Sequence, residues 1–152
     1  MLFRSLGALP ASTDGVEEPL ARTAQYLRRC TTPTDRLVVA DNLPEVYYFA
    51  NRRVGAGQYV FFGGFYTETA AQQETLARWR QQEIPIVLVQ PASRFDDEFG
   101  SDYPILADYL RGRYQRAGSI EVRRGMEMDV WIDPGRDQGR RDSATGLPCL
   151  TE

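Results

Sequence analysis

The chain contains no histidine and no lysine, so all 18 of its basic residues are arginines. Without histidine it cannot form a Ser-His-Asp triad, a Cys-His dyad or a zinc site with imidazole ligands. Without lysine it lacks a Schiff-base amine and the phosphate-binding lysine of a Walker motif. Its two cysteines are too few for a four-thiolate metal site. We predict no metal site and no cofactor.

Positive charge and long apolar runs are also scarce. The formal net charge is -3, and the phosphate backbone of a nucleic acid calls for a basic face, so we predict no nucleic-acid partner. No run of 18 apolar residues exists, so we expect this chain not to span a bilayer. The opening MLFRSLGALPAS resembles a signal peptide, but its apolar stretch is too short for one. We expect residues 1–14 to be a flexible segment, the remnant of something longer.

Length and composition predict one domain of ordinary size. The chain has 152 residues, of which 42% are hydrophobic and 11% aromatic, values typical of a packed core. Apolar periodicity predicts the following elements: helices at 16–30, 44–53, 69–82 and 103–116, strands at 37–40, 58–62 and 84–89, and a hairpin at 120–132. We predict a single α/β domain over 15–133. The polar, turn-rich remainder, 134–152, is predicted to be a flexible tail.

The order of these elements predicts the fold class. A helix is followed by three strand-helix units and a hairpin. Alternation of strands and helices is typical of a parallel sheet covered by helices on both faces. The sequence therefore predicts a three-layer α/β sandwich with a mostly parallel sheet and a C-terminal antiparallel β-hairpin.

Polar residues follow each predicted strand, where open α/β sheets bind their ligands. The candidate ligand-binding residues at these ends are Asp41, Asn42, Gly63, Gly64, Tyr66, Gln90, Ser93 and Arg94. Such side chains suit a hydroxyl-rich or phosphorylated small molecule. The alternative is that they are loop residues with turn propensity. Tyr47 joins the candidates because sugars stack on aromatic rings, although its ring can equally belong to the core.

Three other patterns favour structural interpretations. Gly55-Ala56-Gly57 follows a helix and precedes a strand, so it predicts a loop with positive φ rather than a dinucleotide fingerprint. The acidic residues 96–98 lack the spacing of a calcium loop and predict a solvated surface. Cys30 and Cys149 either form a disulfide, which implies an oxidising compartment, or remain a buried thiol and a free thiol. We favour the unpaired thiols.

Several segments together resemble a family. The string YLRRCTTPTDRLVVADNLPEVYYFANRR resembles the soluble C-terminal domains of polytopic membrane glycosyltransferases of the GT-C superfamily. These lie near the protein mannosyltransferases and the aminoarabinose transferases of lipid A. The shared pattern is an opening helix, a PxDR turn at 33–36, a strand, and PEVYYxAxR over 44–53. IPIVLV, and YPILADYLRGRYQ before the hairpin, are similar too, so the resemblance covers about 16–133.

This resemblance implies an accessory role. In that family the membrane-embedded part carries the acidic catalytic residue and the site for the polyprenyl-phosphate sugar donor, so it implies no catalytic residue in this chain. It implies an extracytoplasmic domain, in the periplasm or at the cell surface, tethered to a transmembrane partner. Such a domain would contact the acceptor or the sugar.

Two further functions remain as alternatives. The first is an independent module that binds a small molecule, a sugar or a nucleotide, at the strand ends. The second is a free-standing hydrolase that uses Asp41 and Glu45 as acid and base, since two carboxylates suffice for glycoside hydrolysis. A spacing of four at a helix start is common, however, and supports the hydrolase least.

Overall fold

The computed structural model describes residues 12–152, so residues 1–11 of the predicted N-terminal segment lie outside the described part. The helices are α1 (Glu18–Cys30), α2 (Pro44–Ala50), α3 (Thr69–Gln81), α4 (Ala92–Phe95), α5 (Phe99–Asp102) and α6 (Pro104–Arg113). The strands are β1 (Arg36–Val39), β2 (Arg53–Val54), β3 (Ile86–Val89), β4 (Gln115–Arg123) and β5 (Met126–Ile132). A 3-10 turn, Pro134–Arg136, follows β5. The fold is α/β, as predicted.

The strands form one five-stranded sheet in the order β2-β1-β3-β5-β4. β1 pairs in parallel with β2 and with β3, while β5 pairs antiparallel with both β3 and β4. The prediction of a mostly parallel sheet is therefore wrong. Val130 and Ile132 on β5 are buried beside β3. Two of the four strand pairings are antiparallel.

Strand β2 lies outside the segment predicted for it. The segment 58–62 contributes only a single bridge, between Val60 and Asn42, while the two residues Arg53 and Val54 pair with β1. Gly55 explains this position: its amide donates to the carbonyl of Leu37, and a Cβ there would lie 2.8 Å from that oxygen. The chain must pass β1 closely at this point, which a glycine permits.

Alternation along the buried strands divides the core into two apolar clusters. Leu37, Val39 and Leu88 face one cluster together with α1 and α2. Val38 and Val87 face the other, together with side chains of α3 and α6. Successive side chains of a strand point to opposite faces, so each four-residue strand contributes to both clusters. Helices consequently cover both faces of the sheet.

Helix α1 buries the apolar stripe predicted for it, and a proline in its first turn determines where it begins. Leu20, Ala24, Leu27 and Cys30 recur at spacings of three and four and are buried. The helix starts at Glu18, two residues after the predicted start, because Pro19 occupies its first turn and proline is favoured there. Its N-cap, Glu17, makes no side-chain capping bond.

The segment after β5 packs on α1. The prediction that 134–152 is a flexible tail is therefore wrong. The hydroxyl of Tyr26 donates to the carbonyl of Pro148 at 2.7 Å. Arg29 pairs with Asp142 at 3.0 Å. Leu147 is 6% exposed and enters the same apolar cluster as α1. The turn residues that suggested disorder instead let this segment fold back across the helix.

A disulfide between Cys30 and Cys149 closes this arrangement. The favoured prediction of unpaired thiols is therefore wrong. The last turn of α1 places Cys30 in the core, and the returning segment runs alongside, with the amide of Leu150 donating to the carbonyl of Cys30 at 3.0 Å. Both cysteines are at most 2% exposed. Sequence separation alone gave no sign of this contact.

Candidate functional site

The carboxyl ends of β1 and β3 meet where the chain leaves the sheet in opposite directions. After β1 it continues into α2, whose Val46 and Ala50 pack in the cluster of α1. After β3 it continues into α4 and α5, whose Phe95 and Phe99 pack on the other face. Adjacent parallel strands with such diverging connections leave a crevice between them, the usual ligand position in open α/β sheets.

A pocket of about 220 Å³ occupies this crevice. It is smaller than the roughly 300–1,000 Å³ of sites for drug-sized molecules, so its occupant would be small. Aromatic and acceptor groups line it: Asp41, Phe61, Phe62, Gly63, Gln90, Glu98, Phe99, Asp102 and Tyr103. Three of the predicted site residues, Asp41, Gly63 and Gln90, are thus brought together.

Gln90 forms part of the pocket wall and is only 5% exposed. Its Nε2 donates to the carbonyl of Ala40 at 2.7 Å, which ties the end of β3 to the end of β1. Because that carbonyl only accepts, the orientation of the amide is set and Oε1 lies on the other side. Among residues 12–152, this buried Oε1 has no hydrogen-bond partner. This oxygen is shielded from solvent, and a buried acceptor without a partner costs about 1–3 kcal/mol.

Aromatic rings form the second component of the wall. The ring of Phe61 lies 5.3 Å from that of Tyr103 and 6.0 Å from that of Phe99. The hydroxyl of Tyr103 contacts the carbonyl oxygens of Phe62 and Phe65 at 2.9 and 2.6 Å, so it holds the loop at 62–65 against α6. Burial, with the nearby charge of Asp102, raises the pKa of Tyr103 to about 12, which keeps this donor protonated.

Three carboxylates complete the wall. Glu98 faces Arg94 at 3.6 Å. Asp41 accepts from the amide of Asn42 at 2.7 Å, which orients it at the end of β1. Over the described part of the chain, no ion pair includes Asp41 or Asp102. The pocket therefore carries an excess of negative charge.

The structure places Tyr47 away from this pocket. Its ring is 6% exposed and packs in the cluster of α1, and its hydroxyl accepts from the amide of Val39 at 2.8 Å. Burial raises the pKa of Tyr47, so the hydroxyl stays neutral. Tyr47 is a core residue, while its neighbour Tyr48 is 69% exposed. The prediction that Tyr47 contacts a ligand is wrong for this site.

The other predicted residues surround the pocket without lining it. Asn42 bridges to Val60, Gly64 has a φ of +85° in the exposed loop, and Tyr66 lines a separate depression beside α3. Ser93 and Arg94 are exposed on α4, where Arg94 faces Glu98. Of the two carboxylates suggested for a hydrolase, Asp41 lines the pocket, whereas Glu45 forms an ion pair with Arg123.

Sequence reasoning missed most of the wall. The acidic run that includes Glu98 predicts a solvated surface, Phe61 falls in a predicted strand, and Asp102 is not among the predicted site residues. The available signal was the aromatic spacing of four between Phe99 and Tyr103, together with the absence of charged residues between Arg53 and Glu68. Neither pattern states which strand ends the two segments will approach.

A larger groove of about 290 Å³ lies between α1 and β4, and several of its polar side chains already form hydrogen bonds within the chain. Arg22 donates to the carbonyl of Ala144, and Ser119 donates to Glu127. Glu121 accepts from the amide of Gly125. Because these polar groups pair within the chain, the groove has less to offer a ligand than the Gln90 pocket.

Comparison of the chain with protein family models, with curated proteins and with solved structures finds no match. Within residues 12–152 no helix has the length and apolarity that crossing a bilayer requires. In the same range, no cluster of three or more acidic or cysteine side chains is arranged to hold a metal ion.

Proposed function

We propose that this chain is a non-catalytic binding domain that holds a sugar unit in the Gln90 pocket, as an extracytoplasmic accessory domain of a membrane glycosyltransferase with a polyprenyl-phosphate donor. The observation that carries the proposal is a small pocket in which the rings of Phe61 and Phe99 lie with the carboxylates of Asp41 and Asp102, which have no ion-pair partner among the described residues. Sugar hydroxyls donate to such oxygens, and sugar rings pack on aromatic faces.

Two observations support the extracytoplasmic and accessory parts of the proposal. The disulfide between Cys30 and Cys149 is of the kind that persists in oxidising compartments such as the periplasm or the cell exterior. The resemblance to the GT-C domains covers the segment that carries β1 and α2, which supplies Asp41 to the pocket. We also interpret the helices on both faces of the sheet as a three-layer sandwich, closed by a β4–β5 hairpin.

A titration of the ¹⁵N-labelled protein with glucose and mannose tests sugar binding directly. We expect the amide signals of Asp41, Gly63 and Gln90 to shift together, since these residues share one wall. A Kd of about 1 mM corresponds to about -4 kcal/mol, which a small polar ligand can supply. Shifts confined to other regions, or none with either sugar, would contradict sugar binding in this pocket.

Gly63→Leu tests the location of the site. A Cβ at Gly63 would face Asp102 at 3.4 Å, and its φ is not in the left-handed region, so a leucine there fills the pocket with little backbone strain. Gly112→Leu is the matched control, because a Cβ at Gly112 meets nothing within 4 Å. We expect Gly63→Leu to abolish the shifts and Gly112→Leu to retain them. Retained binding in Gly63→Leu would place the sugar elsewhere.

The second candidate is an independent small-molecule binding module, favoured by a pocket at the carboxyl ends of β1 and β3, where open α/β sheets bind their ligands. Thermal-shift screening of the isolated chain against sugars and nucleotides separates the two functions. One ligand with micromolar affinity favours the module. A weak sugar site, together with loss of transfer when Gly63→Leu is placed in the membrane enzyme, favours the accessory domain.

A further inference from the structure

The side-chain hydrogen-bond donors in the wall of the Gln90 pocket are already engaged. The Nε2 of Gln90 is bound to the carbonyl of Ala40, and the hydroxyl of Tyr103 is bound to the loop carbonyls of Phe62 and Phe65. The remaining polar side chains of the wall are the carboxylates of Asp41, Glu98 and Asp102. When they are ionised, these carboxylates accept hydrogen bonds and donate none.

Because the unengaged polar side chains of the wall are all acceptors, they favour some ligand groups over others. A neutral hydroxyl both donates and accepts, and inside the pocket its lone pairs would find no side-chain donor. A primary ammonium donates three hydrogen bonds and accepts none. The wall therefore matches an ammonium group more closely than it matches a hydroxyl.

The charge of the wall points the same way. Glu98 is offset by Arg94 at 3.6 Å, but Asp41 and Asp102 have no ion-pair partner within the described residues. Hydrogen bonds between charged partners contribute about 1.5–3 kcal/mol, more than neutral ones. The rings of Phe61 and Phe99 also line the pocket, and aromatic rings attract cations at their faces.

We propose that the Gln90 pocket binds a primary ammonium group, the shared chemistry of an amino sugar and of a lysine side chain. The placement of the ligand rests on the proposed function, while the charge of the ligand rests on the carboxylates of Asp41 and Asp102. An organic cation suits the pocket better than a metal ion, because no three acidic side chains of the described residues converge as metal ligands.

Calorimetric titrations at about pH 6, where amines are protonated and carboxylates ionised, test the proposal. The probes are glucose, glucosamine, N-acetylglucosamine and Nα-acetyl-lysine amide. We expect glucosamine to bind at least about tenfold more tightly than glucose and N-acetylglucosamine, the ratio that about 1.4 kcal/mol produces. The preference should shrink as salt increases, since salt screens partly exposed charges.

Asp102→Asn identifies the charge responsible. It keeps the shape of the side chain and removes its charge, and no ion pair among the described residues includes Asp102. Asp97→Asn is the matched control, an exposed carboxylate in the same segment and outside the pocket. We expect Asp102→Asn to reduce the preference for glucosamine about tenfold, and Asp97→Asn to leave it unchanged.

The outcomes separate the two proposals. Equal affinity for glucose and glucosamine would overturn the ammonium proposal and leave the sugar site standing. Binding of the lysine amide without any sugar would support the ammonium proposal and overturn the sugar site. Binding of no probe would overturn both. A preference that survives both Asp102→Asn and Asp41→Asn would show that the charge acts elsewhere and overturn the assignment to this pocket.

Discussion

Removing the disulfide between Cys30 and Cys149 should destabilise the fold by several kcal/mol. The bond joins residues 119 positions apart, so it constrains nearly the whole unfolded chain. Chain entropy for a loop of that length gives about 5 kcal/mol at 25 °C, and measured losses of native disulfides span about 2–5 kcal/mol. For a domain of this size, a loss of about 2–5 kcal/mol lowers Tm by about 4–20 °C.

The assay compares urea unfolding of the wild type with that of a Cys30→Ala/Cys149→Ala variant, each with and without reductant. We expect the variant to lose about 2–5 kcal/mol in the free energy of unfolding and to be insensitive to reductant. Thiol titration of the denatured wild type, without reductant, should find no free thiol. An unchanged free energy in the variant, or two free thiols in the wild type, would refute the reasoning.

Two further changes probe the loop and the returning segment. Tyr103→Phe removes the donor to the carbonyl of Phe62, so we expect a loss of about 1 kcal/mol in urea unfolding and faster amide exchange at 62–65; unchanged exchange would contradict the role of that hydroxyl. Although burial raises the pKa of Asp142, hydrogen bonds from Arg29 and Thr145 outweigh it and hold that pKa below its usual value. A lowered carboxyl pKa contributes stability above the unfolded value near 3.9, and that stability is lost as the pH falls below it. Asp142→Asn should therefore flatten the fall in stability below about pH 4, measured by urea unfolding, and an unchanged slope would contradict the ion pair.

The local elements were largely predictable because their signals lie within a few residues. The apolar stripe of α1 and the apolar run at 86–89 each predict that their own residues are buried. The prediction for α3 placed its end one residue late, at 82 rather than Gln81. These patterns depend on spacing alone, which the sequence contains in full.

What could not be predicted depends on contacts between distant segments. Hydrophobic alternation in β5 gives no information on whether it lies at an edge or beside β3. The polar composition after 133 is compatible with disorder, and only the approach to α1 pairs Cys149 with Cys30. For the same reason Asp41 and Gln90 were found as strand ends, whereas Asp102, which reaches the pocket from a helix end, was missed.

A crystal structure of the protein soaked with glucosamine tests the central claim most directly. We expect the sugar in the crevice between β1 and β3, with the amine within hydrogen-bond distance of the carboxylate of Asp41 or Asp102. Sugar density confined to another surface, with the Gln90 pocket unchanged, would contradict the account.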